Sequence, residues 1–137
     1  MYPEELVRPM RAQLTGIGFT ELKSVEEVDQ AMNDKEGTQL VVVNSVCGCA
    51  AGSARPGVVH SLTGDKKPSK LYTVFAGQDR DATNKAREYM MPYPPSSPSI
   101  ALFKDGELVH MIERHHIEGR SAEMISANLQ AAYNEHC

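Results

Sequence analysis

The sequence predicts an α/β sandwich, a four-stranded mixed sheet flanked by helices and preceded by a helical extension at the N-terminus. Three observations carry this. Two apolar runs, Leu40 to Asn44 and Leu71 to Ala76, read as strands covered on both faces, with a helix-length segment between them that suits a parallel crossover. Two further strand-like runs, Ile100 to Lys104 and Glu107 to Ile112, are joined by Asp105-Gly106, the dipeptide of a tight antiparallel hairpin. Apolar residues at helical spacing occupy much of the remaining chain.

Taken in order, Leu6, Val7, Met10 and Leu14 recur with helical period from Pro3 to about Gln13, and Pro3 suits a first helical position. Gly16 and Gly18 end that helix. Ser24 with Glu27 forms a capping-box pattern ahead of Val25, Val28 and Met32, so a second helix runs to about Asn33. Glu36-Gly37-Thr38 then leads into the first strand. This divides a single domain into a helical extension, 1–36, and a sandwich core, 38–137.

The helix after Cys47 is expected to reach Leu62 with Pro56 inside it, where proline removes the bond to the Gly52 carbonyl and bends the axis. Thr63 to Ser69 reads as a solvated loop. Asp79 and Asp81 open a third amphipathic helix that ends near Met91. Pro92 to Pro98 is too rich in proline for regular structure, and Glu113 to Gly119 reads as a polar loop. Ser121 caps a last helix with Met124, Ile125, Leu129, Ala132 and Tyr133 on its buried side. Met10, Met32 and Met124 are assigned to the core.

Composition narrows the functional classes. A chain of 137 residues that is 41% hydrophobic and 23% charged can bury a core without staples. The net charge of -4, with no basic tract, argues against nucleic acid or an anionic membrane as partner. No apolar run approaches the ~20 residues of a membrane span, and Met1-Tyr-Pro-Glu-Glu lacks the basic start and apolar stretch of a signal peptide, so a cytoplasmic location is expected. Three cysteines are too few for a disulfide scaffold and point to catalysis or metal binding. Phosphate-cradling and dinucleotide-binding glycine patterns are absent.

The chemistry is expected where the first strand turns into a helix, at Cys47-Gly48-Cys49. A cysteine in a first helical turn sits beside unpaired backbone N–H groups and the positive end of the helix dipole, both of which favour the thiolate. Cys47 is therefore the expected nucleophile. On a regular helix, at ~100° per residue, Cys47 and Cys49 point to nearly opposite sides, whereas a disulfide wants Cβ atoms ~3.8 Å apart. Closing the bridge must then distort the turn, which Gly48 permits, and a strained bridge makes a poor general reductant better suited to mixed disulfides. Two other readings stay open: a pair of small buried residues, or a zinc or iron–sulfur site in which histidines join the C-x-C thiols.

The order of elements resembles the thioredoxin fold. Ser97-Pro98, just before the hairpin, matches the position where thioredoxin-like proteins hold a cis-proline facing the active cysteine, although Cys-Gly-Cys replaces their C-x-x-C pair. Val43 to Gly52, Ala54-Arg55-Pro56, Val74 to Asp79, Pro95 to Ser99 and His136-Cys137 are similar to the bacilliredoxin family, over nearly the full chain. That resemblance implies a bacterial redox enzyme that removes bacillithiol from mixed disulfides on client proteins, Cys47 attacking and Cys49 or free bacillithiol resolving. It also implies a small thiol as co-substrate with no tightly bound cofactor, and thiol–disulfide isomerase activity of weak reducing power in some members. A strand leaving Pro98 and its hairpin partner returning would bring Arg114 to Gly119 back to the thiols, so His115 and His116 are candidate donors to the thiolate or to an anionic thiol. Ser97, Pro98 and Arg55 complete the expected substrate contacts, Arg55 being otherwise a solvated helix residue. Cys137 is a candidate auxiliary thiol.

Overall fold

The computed structural model describes all 137 residues. Its sheet has five strands where the sequence suggested four: β1 (Thr20–Glu21), β2 (Thr38–Asn44), β3 (Lys70–Phe75), β4 (Ser99–Lys104) and β5 (Glu107–Ile112), in the order β1-β3-β2-β4-β5. The additional strand, inside the expected helical extension, spans two residues and pairs parallel with β3. So short a strand carries no alternation for a sequence pattern to reveal. β2 runs parallel to β3 and antiparallel to β4, and β4 pairs antiparallel with β5. The hairpin turns at Asp105 and Gly106, with φ of 50° and 85°, the left-handed pair that matches the twist of the flanking strands.

Six helices cover the sheet: α1 (Glu4–Thr15), α2 (Val25–Asn33), α3 (Arg55–Ser61), α4 (Arg80–Tyr89), α5 (Arg114–Ile117) and α6 (Ala122–His136). Every residue of β2 is buried, and its alternation feeds two cores. Leu40 and Val42 join Leu14, Val58, Ile117, Leu129 and Tyr133 on one face, while Val41 and Val43 join Val28, Met32, Ala82 and Ala86 on the other. The caps form as the sequence indicates, Ser24 Oγ accepting from Glu27 N at 3.1 Å and Ser121 Oγ from Met124 N at 3.2 Å. No helix is long and apolar enough to cross a membrane.

Several expectations are corrected. Met124 is 52% exposed and Met10 only half-buried, so of the assigned methionines Met32 alone is core. Leu6, too, stands exposed on α1, whose buried face carries Val7, Leu14 and Arg11 instead. The Arg11 guanidinium reaches Glu21 and Asp79 at 2.7 Å each and Glu4 at 2.8 Å, tying the helix to β1 and to the loop before α4. Residues 113–119 are not a plain loop: α5 forms one turn there, anchored by fully buried Ile117. The bend expected at Pro56 takes the form of a π-helical turn, Ala50–Ala54, in which Arg55 N bonds to Ala50 O. The wider turn accommodates the change of path ahead of Pro56, which enters α3 near its start.

The registers place the site. Val43 lies opposite both Val74 and Ser99, and Ile100 opposite Ile112. The ends of β2, β3 and β5 and the start of β4 therefore share one edge, the place where α/β sheets usually hold their ligands.

Candidate active site

At that edge Asn44, the last residue of β2, accepts from Ser45 N through Oδ1 at 2.9 Å and donates through Nδ2 to Met10 O at 3.2 Å. Ser45 Oγ in turn accepts from Cys47 N at 3.1 Å, so a chain of hydrogen bonds fixes the turn that carries the candidate nucleophile. Arg55 fastens it from beneath. Its Nη1 donates to Asn44 Oδ1 at 2.9 Å and to Ser45 O at 2.8 Å, and its Nε to Gln13 Oε1 at 2.6 Å. At 2% exposure Arg55 is neither solvated nor able to meet a ligand, which corrects both sequence readings. All its named acceptors are neutral, and burial pushes its pKa down.

The two thiols are in contact, Sγ to Sγ 2.7 Å, instead of pointing apart. The helical-wheel argument fails because Cys47 belongs to the turn before the helix: its carbonyl accepts from Ala50 N at 3.0 Å and Ala51 N at 3.2 Å. Gly48 needs no left-handed φ for this, and a Cβ there would meet open space. The sulfurs are unequal. Hydrogen bonding from Cys49 holds the Cys47 thiol below its ordinary pKa, with backbone N–H groups and the charge of Arg114 adding to the effect. Burial, followed by the bond to Cys47 and its negative charge, pushes Cys49 up. The two shifts run in opposite directions, toward the thiolate at Cys47 and away from it at Cys49.

Arg114 is the contact that sequence reasoning missed. From the first turn of α5 its Nη2 donates to Cys47 Sγ at 3.2 Å, its Nη1 to Ser97 O at 3.2 Å and its Nε to Glu118 at 2.7 Å. The returning hairpin brings Arg114 to Cys47, one residue ahead of the expected histidines. His115 is 69% exposed at its side chain, and His116 Nδ1 accepts from Glu113 N at 3.1 Å to cap α5. A guanidinium adjoining that His-His pair was the available signal.

Ser97-Pro98 is a cis peptide, with Pro98 buried beside the start of β4. Ser97 lines an open groove of about 500 Å³ together with Cys47, Ser45, Gly77, Arg87 and Arg114. Cys137 is exposed at the end of α6 and forms no hydrogen bond with the other thiols. For metal, Glu113, His115 and His116 have ligand atoms within 4.8 Å of one another, yet Glu113 and His116 already serve the α5 cap. Cys47 and Cys49 group with no third ligand residue, whereas closed zinc and iron–sulfur sites take four.

A family model described as "Disulphide isomerase" matches residues 2–137. A bacilliredoxin of Cytophaga hutchinsonii is 63% identical over 135 residues, covering 98% of this chain and 99% of that one. The chain belongs to the bacilliredoxin family. A second bacilliredoxin, from Halalkalibacterium halodurans, is 60% identical over 136 residues and spans 99% of this chain and 94% of its own. Among solved structures, Fasciola hepatica thioredoxin superposes with a TM-score of 0.57 at 14% identity, over 87% of this chain and 100% of that one. Mitochondrial thioredoxin 3 of Saccharomyces cerevisiae gives 0.56 at 15% identity, over 90% and 98%. The bacilliredoxin described here is a thiol–disulfide oxidoreductase built on a thioredoxin fold.

Proposed function

We propose that this bacilliredoxin removes bacillithiol, or a similar small thiol, from mixed disulfides on client proteins in the cytoplasm, with Cys47 as nucleophile and Cys49 as resolving thiol. The unequal environment of the two sulfurs carries the reading. Cys47 collects the hydrogen-bond donors and the cation, which favour its thiolate, while burial and the neighbouring sulfur favour the protonated form of Cys49. The Cys47 thiolate attacks the small-thiol sulfur of the mixed disulfide; that S–S bond breaks, the client leaves as thiolate, and the small thiol becomes disulfide-linked to Cys47. This step neutralises Cys47, which removes the negative charge that held the Cys49 proton and leaves Arg114 to favour the second thiolate. Cys49 then attacks Cys47 Sγ, expels the small thiol as thiolate and leaves a Cys47–Cys49 disulfide, which an external dithiol reduces. Direct attack by a second small-thiol thiolate on the bound small thiol is the shorter route, returning Cys47 as thiolate and releasing the symmetrical disulfide.

General disulfide isomerisation is the second reading, favoured by the description of the family model that the chain matches. It shares the first attack but uses a protein disulfide as substrate, and the client itself resolves the adduct. Intact mass after incubation with a bacillithiolated client tests the first reading. Cys49→Ser should gain one bacillithiol, wild type should release it, and Cys47→Ser should leave the client modified. An unchanged client with every variant overturns the assignment, and recovery of activity by a scrambled disulfide protein would then favour isomerisation.

A further inference from the structure

Arg87 has no anionic partner. It projects from the last turn of α4, half-buried, and no carboxylate of the chain lies within ion-pairing distance of it, in contrast to Arg11 and Arg114. One terminal nitrogen makes a long contact of 3.4 Å to Ser96 O, and Nε is buried with no partner at all. Burial depresses its pKa, as expected of a cation partly desolvated without compensation. A chain that carries -4 overall has thus kept an uncompensated positive charge in the groove that holds the nucleophile.

The rest of the groove agrees in sign. Its lining includes Arg114 and the hydroxyl residues Ser45 and Ser97, and no acidic side chain. Tyr2 closes one wall, strapped across the β3–α4 loop by paired bonds of 2.9 Å with Gln78. Gly77 beneath it has φ of +82°, and an added Cβ would stand 3.3 Å from the Tyr2 ring. Planar guanidinium groups present several donors in a fixed fork that suits carboxylates.

We propose that this groove binds the carboxylate-bearing part of a small anionic thiol while its sulfur is joined to Cys47, and that Arg87 is the residue that reads its charge. The inference rests on the mixed-disulfide reading above and adds the residue that recognises the small thiol's charge in the groove it shares with Cys47. Arg114 is shared with Glu118 and Cys47, which leaves Arg87 as the unpaired cation for the ligand.

The test uses one client protein carrying, on a single cysteine, either mercaptosuccinate (dianionic) or thioglycerol (neutral). Release rates of both adducts are measured with wild type, Arg87→Met and Arg87→Lys. The mercaptosuccinate-to-thioglycerol rate ratio should fall about tenfold in Arg87→Met, the size expected for losing a hydrogen bond to a charged group. Arg87→Lys should keep most of the ratio, and added salt should erode it in wild type. A ratio that Arg87→Met leaves unchanged overturns the groove assignment while release of both adducts preserves the exchange reading. Release of neither adduct by wild type overturns both.

Discussion

The guanidinium of Arg114 stands 3.2 Å from the sulfur of Cys47, and the same side chain holds the carbonyl of Ser97 just ahead of cis-Pro98. One cation thus touches both the thiol, whose pKa it helps to lower, and the loop that faces it. Its hold on Cys47 is secondary, because the largest lowering influence on that thiol is the hydrogen bond from Cys49.

The first prediction concerns the pH profile of Cys47 alkylation, followed with iodoacetamide in a Cys137→Ser background. Removing a group that stabilises the thiolate raises its pKa, so Arg114→Gln and Cys49→Ala should both move the profile to higher pH, Cys49→Ala by more. Below the wild-type midpoint each variant then reacts more slowly. His115→Ala should leave the curve in place, since that ring touches neither sulfur. Coincident curves for wild type and Arg114→Gln would remove the cation from thiolate activation.

The second concerns Arg55. Replacing it with Met keeps an apolar stem of similar length but strips donors from Gln13, Asn44 and Ser45. Loss of these bonds, with the Ser45 carbonyl left buried and unpaired, should cost about 2 kcal/mol, read as a lower urea midpoint at unchanged slope. Because Ser45 also holds the Cys47 amide, alkylation at Cys47 should slow as well. A stable Arg55→Met protein with wild-type alkylation would show that the turn needs no support from below.

A third prediction tests the seam between α3 and α6. A Cβ at Gly57 would lie 2.7 Å from Ile125 Cβ, 2.8 Å from its Cγ2 and 3.1 Å from Ala122 O. None of these atoms is the end of a flexible side chain, so Gly57→Ala must push the helices apart and should lower stability by about 2 kcal/mol in thermal or denaturant unfolding. No loss at all would mean that the helices can separate freely.

What the sequence made legible was local. Asp105-Gly106, Ser24 with Glu27, and Ser121 announce the hairpin and two helix starts because turn and cap preferences involve residues only a few positions apart. The thiol pair at the end of a Val-rich strand was equally readable. Features that depend on distant partners were not. Arg55 looks like any helix arginine until β2 and α1 supply its acceptors, and Arg114 looks like part of a charged loop until the sheet returns it to Cys47. Ile117, the one apolar residue in Glu113 to Gly119, was the available sign that this segment is pinned to the core. Met124 shows the opposite error, since periodicity places a side chain near a face without saying how far the neighbouring elements extend over it.

Arg114 follows Cys47 by 67 residues along the chain. While the protein is being synthesised, Cys47 and Cys49 leave the ribosome well before the residue that supplies the cation exists. Until the last hairpin closes and Ile117 is seated, the thiol pair lacks that contribution and is correspondingly less ready to react. The thiol pair therefore reaches its full nucleophilic character only when the fold that also forms its groove is complete.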